Sequence, residues 1–122
     1  MSSPAPKRKF ALFAPYIATP AAAALRAKHG RAHLAALAPL IQRGIISSTV
    51  GGPFYADSGA GETADGKDKD RAFGGSFFVM EAGSYREALE IVKQDPYYKE
   101  ALWDIPNIRL VEYRTPPKPA KL

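Results

Sequence analysis

The chain has 122 residues, of which 46% are apolar and 24% are charged, and its net charge at pH 7 is +5. This length predicts one domain with a single core, and no apolar run approaches the roughly 18–20 residues that a membrane span needs. The absence of cysteine excludes disulfides and thiolate metal ligands. We therefore expect a cytoplasmic protein without a membrane partner.

The positive charge is concentrated at the two ends of the chain. Of the 17 Lys and Arg residues, six lie within residues 1–9 and 114–122, so the span 10–113 holds 11 bases against 12 acids. A protein that binds phosphate backbones normally carries its basic residues on the folded body. We therefore expect no nucleic-acid partner.

Two elements are predicted in the first third of the chain. Residues 8–17, "RKFALFAPYI", are apolar and aromatic and predict a first strand. Residues 19–44 predict a long helix, because they open with Thr-Pro and close with Arg-Gly. The predicted inward stripe of this helix consists of Leu34, Leu37, Leu40 and Ile41.

The middle of the chain predicts two strands joined by a long loop. Residues 44–54 are rich in β-branched side chains and bounded by glycines, which indicates a second strand. Residues 55–72 are rich in Gly, Asp and Lys, and we expect a loop with disorder. Residues 73–82 predict a third strand.

The last third of the chain predicts a helix, a short turn and a strand. Ser84 begins the helix, and Glu87 three residues later completes a capping box. Pro96 ends that helix, and a short helical turn is expected through residues 97–102. Residues 103–114 then predict the last strand.

The order strand, helix, strand, strand, helix, strand predicts an α+β fold of the ferredoxin-like βαββαβ type. Its four-stranded antiparallel sheet carries both helices on one face. We place this domain at residues 8–114, between flexible tails at residues 1–7 and 115–122. The second face of the sheet is rich in large apolar side chains, which predicts a homodimer through the sheet faces.

Three short motifs resemble those of a known family. The pair "HL" lies on the first helix, "GP" closes the second strand, and "DPY" follows the second helix. In this order they resemble the YCII-related proteins, which are dimeric α+β barrels, over about residues 8–114. The resemblance implies a His–Asp pair as the active site, which maps onto His33 and Asp95. It also implies small-molecule breakdown, by a dehydrochlorinase of a chlorinated hydroxylated aromatic in at least one branch.

The positions of these two residues are compatible with such a pair. His33 lies at the border of the predicted apolar stripe, where we expect it to be half-buried and to titrate near neutral pH. Asp95 precedes a proline, which forces it toward extended geometry, so that its carboxylate caps the next turn, orients His33, or does both. A structural histidine that is satisfied by a backbone carbonyl remains the alternative.

Four further residues are predicted to bind the substrate: Arg26, Ser76, Tyr98 and Trp103. Arg26 suits a substrate carboxylate or phenolate, or else an acidic neighbour in the protein. Ser76 is placed to donate or accept a hydrogen bond in the pocket or is a plain strand serine. The two aromatic residues are interpreted as pocket wall, with core or dimer contacts as the alternative.

No cofactor or metal is expected. His29 and His33 have the spacing of a metal clip, but the chain has no third histidine, and we expect His29 to face solvent. Nucleotide, flavin and nucleophile-elbow motifs are lacking from the sequence.

We therefore expect a small-molecule enzyme of the lyase, dehydrochlorinase or isomerase type. Its substrate is expected to be a small aromatic or lactone-like metabolite, with His33 as general acid or base. Two alternatives stay open. One is a non-catalytic protein that binds a small ligand, and the other is an assembly module in which His33 and Asp95 lie far apart.

Overall fold

The computed structural model of the protein describes residues 7–58, 71–117 and 119. The disorder expected in the long loop and the flexibility expected in the N-terminal tail fall largely on residues outside these ranges, as does half of the predicted C-terminal tail. Within them, no helix is long and apolar enough to cross a membrane.

The described chain forms a four-stranded antiparallel sheet with two long helices, in the order that the sequence predicts. The strands lie in the order β2-β3-β1-β4, and each pairs antiparallel with its neighbours. The predicted α+β, ferredoxin-like fold is therefore confirmed. The elements are β1 (Arg8–Pro15), α1 (Ala21–Gln42), β2 (Ile46–Tyr55), β3 (Phe73–Ala82), α2 (Tyr85–Gln94), α3 (Pro96–Lys99), a 3₁₀ turn (Ile105–Asn107) and β4 (Arg109–Tyr113).

Helix α1 ends as its sequence predicts but differs in the residues that it buries. Gly44 has a φ of 73°, a left-handed conformation that glycine adopts without steric cost, and its N–H donates to the carbonyl of Ile41. Leu37 is buried, whereas Leu34 is 65% exposed, so its prediction as a core residue is wrong. The reason is that Leu34 faces an open cavity beside the helix.

Helix α2 begins with the predicted capping interaction. The hydroxyl of Ser84 accepts a hydrogen bond from the backbone N–H of Glu87 at 3.1 Å. The Glu87 carboxylate in turn accepts one from the backbone N–H of Gly83 at 2.5 Å. The two side chains together satisfy donors that the helix itself leaves unpaired, and Ala88 and Val92 enter the core.

The last strand is shorter than predicted. Residues 103–114 were expected to form it, but β4 begins only at Arg109, after the 3₁₀ turn. Pro106 lacks a backbone donor for a sheet ladder, and the side chain of Asn107 donates to Asp104 at 2.7 Å, which favours the turn. Trp103 consequently forms only an isolated bridge with Tyr16.

Strand β2 separates from its neighbour for part of its length. Its register with β3 shifts between Ile46 and Gly51, and Gly51 and Gly52 have φ values of 114° and 139°. A side chain at position 51 would lie 2.6 Å from the carbonyl oxygen of Phe77, so glycine lets the two strands rejoin. Residues of this part of β2 and residues of α1 together line a cavity.

The two faces of the sheet have different surroundings. Alternate strand positions, including Phe10, Leu12 and Met80, are buried in one cluster with residues of both helices. On the other face, Phe13 and Val111 are 43% and 51% exposed. The predicted homodimer would cover this second face, and it stays a prediction.

Candidate active site

Asp95 is held in place by the junction between α2 and α3. It follows the last residue of α2 and has extended geometry, with φ −71° and ψ 135°, as expected for a residue before proline. Its Oδ1 accepts a hydrogen bond from the backbone N–H of Tyr97 at 2.8 Å and so caps the short helix α3. The carboxylate therefore points out of the line of α2.

The same carboxylate contacts His33, which lies 62 residues earlier in the chain. The Nδ1 atom of His33 lies 2.8 Å from both Oδ1 and Oδ2 of Asp95. The side chains are 8% and 5% exposed, so His33 is more deeply buried than the half-buried position that we predicted. An assembly module was expected to have His33 and Asp95 far apart, whereas here the two side chains are in contact.

This contact determines the roles of the two imidazole nitrogens. An ionised carboxylate only accepts hydrogen bonds, so Nδ1 is the donor, and in the neutral imidazole Nε2 then carries the lone pair. Within the described part of the chain, Nε2 has no hydrogen-bond partner. Because His33 lines the cavity beside α1, this nitrogen is the one available to a ligand.

Three aromatic rings surround the imidazole. The ring of Tyr97 stacks on it, with centroids 3.9 Å apart and planes at 8°. Trp103 meets it edge-on at 6.1 Å, and Phe78 lies at 6.0 Å with a tilt of 42°. The imidazole is therefore held in one orientation by packing as well as by its carboxylate partner.

Tyr97 keeps its phenol in the neutral form. Burial raises the pKa of Tyr97 above 10.0, and the neighbouring Tyr16 and Asp95 act in the same direction. Only Arg26 opposes this shift. The hydroxyl therefore remains a hydrogen-bond donor at neutral pH.

The cavity beside His33 has a volume of about 410 Å³, which lies within the range of about 300–1,000 Å³ that is usual for small-ligand pockets. One wall is the side of α1 that carries Arg26, His33 and Leu37, and the opposite wall is strand β2. Ser76 and Phe78 of β3 close the base. The arrangement places Nε2 of His33 between a polar part of the lining, which includes Arg26 and Tyr16, and an apolar part, which includes Leu37.

Two of the predicted substrate-binding residues, Arg26 and Ser76, line this cavity. Arg26 is half-buried, its Nε donates to the hydroxyl of Tyr16 at 3.3 Å, and its guanidinium lies 4.5 Å from the ring centroid of Phe73. Ser76 is buried, and its hydroxyl accepts a hydrogen bond from the indole N–H of Trp103 at 3.1 Å.

The other two predicted contacts are placed differently. Neither Trp103 nor Tyr98 is among the described residues that line the cavity. Trp103 is buried behind His33 and Ser76 and supports them, because its indole ring packs against one and donates to the other. Tyr98 is partly buried against the core.

The prediction that His29 faces solvent is wrong. Its side chain is 17% exposed, and its Nε2 lies 3.9 Å from a carboxylate oxygen of Glu100. Among the described residues, no group of three or more His, Asp or Glu side chains is arranged to hold a metal ion.

The sequence reasoning missed the parts of the site that come from the sheet side. Tyr16 follows β1 directly and reaches the cavity, and Gly51 belongs to the opposite wall. No site role was predicted for Tyr97, although it follows Asp95 within the "DPY" motif. Gly30 lies about one turn before His33, and a Cβ at this position would be 3.4 Å from the hydroxyl of Tyr97, which is an ordinary van der Waals contact.

One solved structure of an enzyme is similar to this chain. The chain resembles the solved structure of 5-chloro-2-hydroxyhydroquinone dehydrochlorinase (TftG) from Burkholderia phenoliruptrix, in complex with 2,5-dihydroxybenzoquinone. The TM-score is 0.62 and the sequence identity 29%, over 88% of this chain and 93% of that one. Among curated proteins, none matches the chain.

The match to a family covers most of the chain. The family model of the YCII-related domain matches residues 9–112, which include both His33 and Asp95. The family and the dehydrochlorinase neighbour together support a small-molecule, enzyme-like role. The chain belongs to the YCII-related domain family.

Proposed function

We propose that the protein is a cofactor-free lyase that uses His33 as general base and acid on a small hydroxylated aromatic compound. The observation that carries this proposal is the buried contact between His33 and Asp95, with Nε2 free beside a cavity of about 410 Å³. A free, oriented imidazole nitrogen in an apolar pocket is the arrangement that proton transfer requires.

In the proposed reaction, each member of the pair has one task. Nε2 of His33 takes a proton from the substrate, and the imidazolium that forms is stabilised by the Asp95 carboxylate on Nδ1. A positioned histidine contributes about 10²- to 10⁴-fold in rate. That contribution is sufficient when the substrate is already activated, as a hydroxylated ring is in its keto tautomer.

The dehydrochlorinase neighbour suggests a substrate class that fits this chemistry. In the keto tautomer of a chlorinated hydroxyhydroquinone, the chlorine is attached to a tetrahedral carbon. His33 takes the proton of a ring hydroxyl, the electron pair moves through the ring, and the C–Cl bond breaks so that chloride leaves with its electrons. The product is a hydroxyquinone, and the elimination of HCl needs no oxidant.

The test is chloride release from 5-chloro-2-hydroxyhydroquinone by the purified protein, with the quinone product followed by its absorbance. Replacing His33 with alanine should lower turnover at least about a hundredfold, whereas calorimetry should show that 2,5-dihydroxybenzoquinone still binds. His29→Ala is the matched control, since it removes the same side chain one turn away. Binding of the quinone without chloride release would favour the non-catalytic ligand-binding alternative.

The proposal includes a homodimer through the open face of the sheet. Phe13 and Val111 are large, exposed and apolar. The ring of Phe13 stacks on that of Phe54 across this face, with ring centroids 4.7 Å apart. A second copy offers the same apolar surface, so a two-fold pairing buries both. Light scattering should give a dimer for the wild type and a monomer for Val111→Lys. Ile105→Lys, which charges an exposed residue outside the sheet, should leave the dimer intact.

A further inference from the structure

The cavity extends along α1 well beyond His33. Arg26, His33 and Ile41 all line it, and the 1.5 Å rise per helical residue places the first and last of these about 22 Å apart. A single hydroxylated ring beside His33 would leave space toward both ends of this trench. The side chains at the two ends therefore indicate what else the substrate carries.

One end of the trench is polar and positively charged. Arg26 is half-buried there, and no acidic side chain among the described residues forms an ion pair with it. Its Nε is used by Tyr16, which leaves the other guanidinium N–H groups and the phenolic O–H of Tyr16 as donors. The hydroxyl of Tyr97, beside Gly30, adds a neutral donor at the same end. Apart from the Tyr16 hydroxyl and the ring of Phe73, this half-buried cation has no acceptor among the described residues, and the donors around it favour an anion.

The other end is apolar on its α1 side, while Ser47 and Ser48 follow Ile46 on its β2 side. Leu34, Leu37, Ile41 and Ile46 line it, and Leu34 remains 65% exposed at its mouth. Isolated exposed leucines are ordinary, but this one continues a stripe of apolar side chains that starts next to His33. Alkyl or aryl groups would bury this surface, whereas polar groups would find no partner among these side chains.

We propose that the substrate is an amphipathic anion. Its carboxylate or phenolate lies against Arg26 and Tyr16, its reactive ring lies beside His33, and an apolar substituent extends along Leu34, Leu37 and Ile41. This inference rests on the proposed function, because it names the substrate class of the same site. Arg26 is the residue that selects for the charge, and the leucines select for the substituent.

Binding of unreactive probes tests this proposal without any chemistry. Calorimetry is carried out with 4-methylbenzoate, 4-butylbenzoate and the uncharged 4-butylbenzamide. The butyl compound should bind more tightly than the methyl compound, by about fourfold for each methylene that becomes buried. Arg26→Gln should weaken 4-butylbenzoate about tenfold or more and leave 4-butylbenzamide unchanged, which also shows that the variant is folded.

The matched control is Arg31→Gln, which removes the same charge from an exposed position of the same helix. It should change neither affinity. Equal affinity for the methyl and butyl benzoates, equal losses in the two arginine variants, or no binding of any probe would overturn the proposal. The probes bind without reacting, so their binding can be compared with chloride release. If the probes show the expected preference for the butyl group and the expected effect of Arg26→Gln, but no chloride is released, only the proposed function is contradicted. If chloride is released but the probes do not show that preference and that effect, only the substrate class is contradicted.

Discussion

The imidazole of His33 and the phenol ring of Tyr97 lie face to face, with centroids 3.9 Å apart and planes at 8°. The same tyrosine donates its backbone N–H to Asp95, so one residue contacts both members of the pair. The ring and the hydroxyl of Tyr97 therefore have separable tasks. The ring orients the imidazole, and the hydroxyl faces the cavity.

Substitution of Tyr97 should separate these tasks. Tyr97→Phe keeps the stacked ring, so turnover at saturating substrate should stay within a few-fold of wild type. Tyr97→Leu loses the stack, and the unfolding free energy should fall by at least the roughly 0.5–1.5 kcal/mol of an aromatic pair, with turnover falling further. Urea unfolding and turnover measure the two effects. Tyr98→Leu, beside it but off the cavity wall, is the control, and turnover that falls equally there would contradict the orienting role.

Stability at high pH should depend on the Tyr97 hydroxyl. The raised pKa means that the folded protein holds this proton more tightly than the unfolded chain, whose value is 10.0. The contribution is therefore complete below about pH 10 and is lost as pH rises through the folded value. Urea unfolding at several pH values from 8 upward should show a steeper fall above pH 10 for wild type than for Tyr97→Phe. Tyr85→Phe, at a half-exposed tyrosine, should keep the wild-type slope, and an equal effect of both variants would contradict the prediction.

Different substitutions of Asp95 should separate its effect on turnover from its effect on stability. Asp95→Asn retains an oxygen that caps α3 but removes the charge beside Nδ1, so turnover should fall at least about a hundredfold while the protein stays folded. Asp95→Ala also removes the cap, which should lower the unfolding free energy by a further 0.5–2 kcal/mol or so. Thermal unfolding and turnover distinguish the two. Asp104→Asn, which alters a carboxylate in the 3₁₀ region, should leave turnover unchanged; a comparable fall there would show that the effect is not specific to the pair.

The hydrogen bond between Trp103 and Ser76 should matter for stability. Ser76→Ala leaves the buried indole N–H without its acceptor, which should lower the unfolding free energy by about 1–3 kcal/mol. In Trp103→Phe the donor is already absent, so adding Ser76→Ala there should cost clearly less. Ser48→Ala, at an exposed serine, is the control in urea unfolding. Equal costs in the two backgrounds would show that the hydrogen bond contributes nothing.

The fold was predictable because its signals are local. The Ser84–Glu87 capping box, the glycine at position 44 and the apolar run of β3 each act within a few residues. Their order along the chain was then sufficient to select the α+β topology.

The predictions from the sequence were wrong where tertiary contacts determine whether a residue is buried or paired. Leu34 has the spacing of a core residue, but a cavity lies where the core would be. Residues 103–108 are apolar enough for a strand, but Pro106 cannot pair. The contact of Tyr97 with His33 crosses from one helix to another, and no local pattern reports such a distance.

Strand β2 has a consequence for how such a protein changes over time. It is an edge strand that leaves the β3 ladder between Ile46 and Gly51 and forms the wall opposite α1. The histidine and its carboxylate are anchored elsewhere, in α1 and at the start of α3. Insertions or replacements in this edge strand would alter the width of the trench and leave His33 and Asp95 untouched. Under the proposed function, related chains could therefore diversify in the compounds that they accept while keeping one type of reaction.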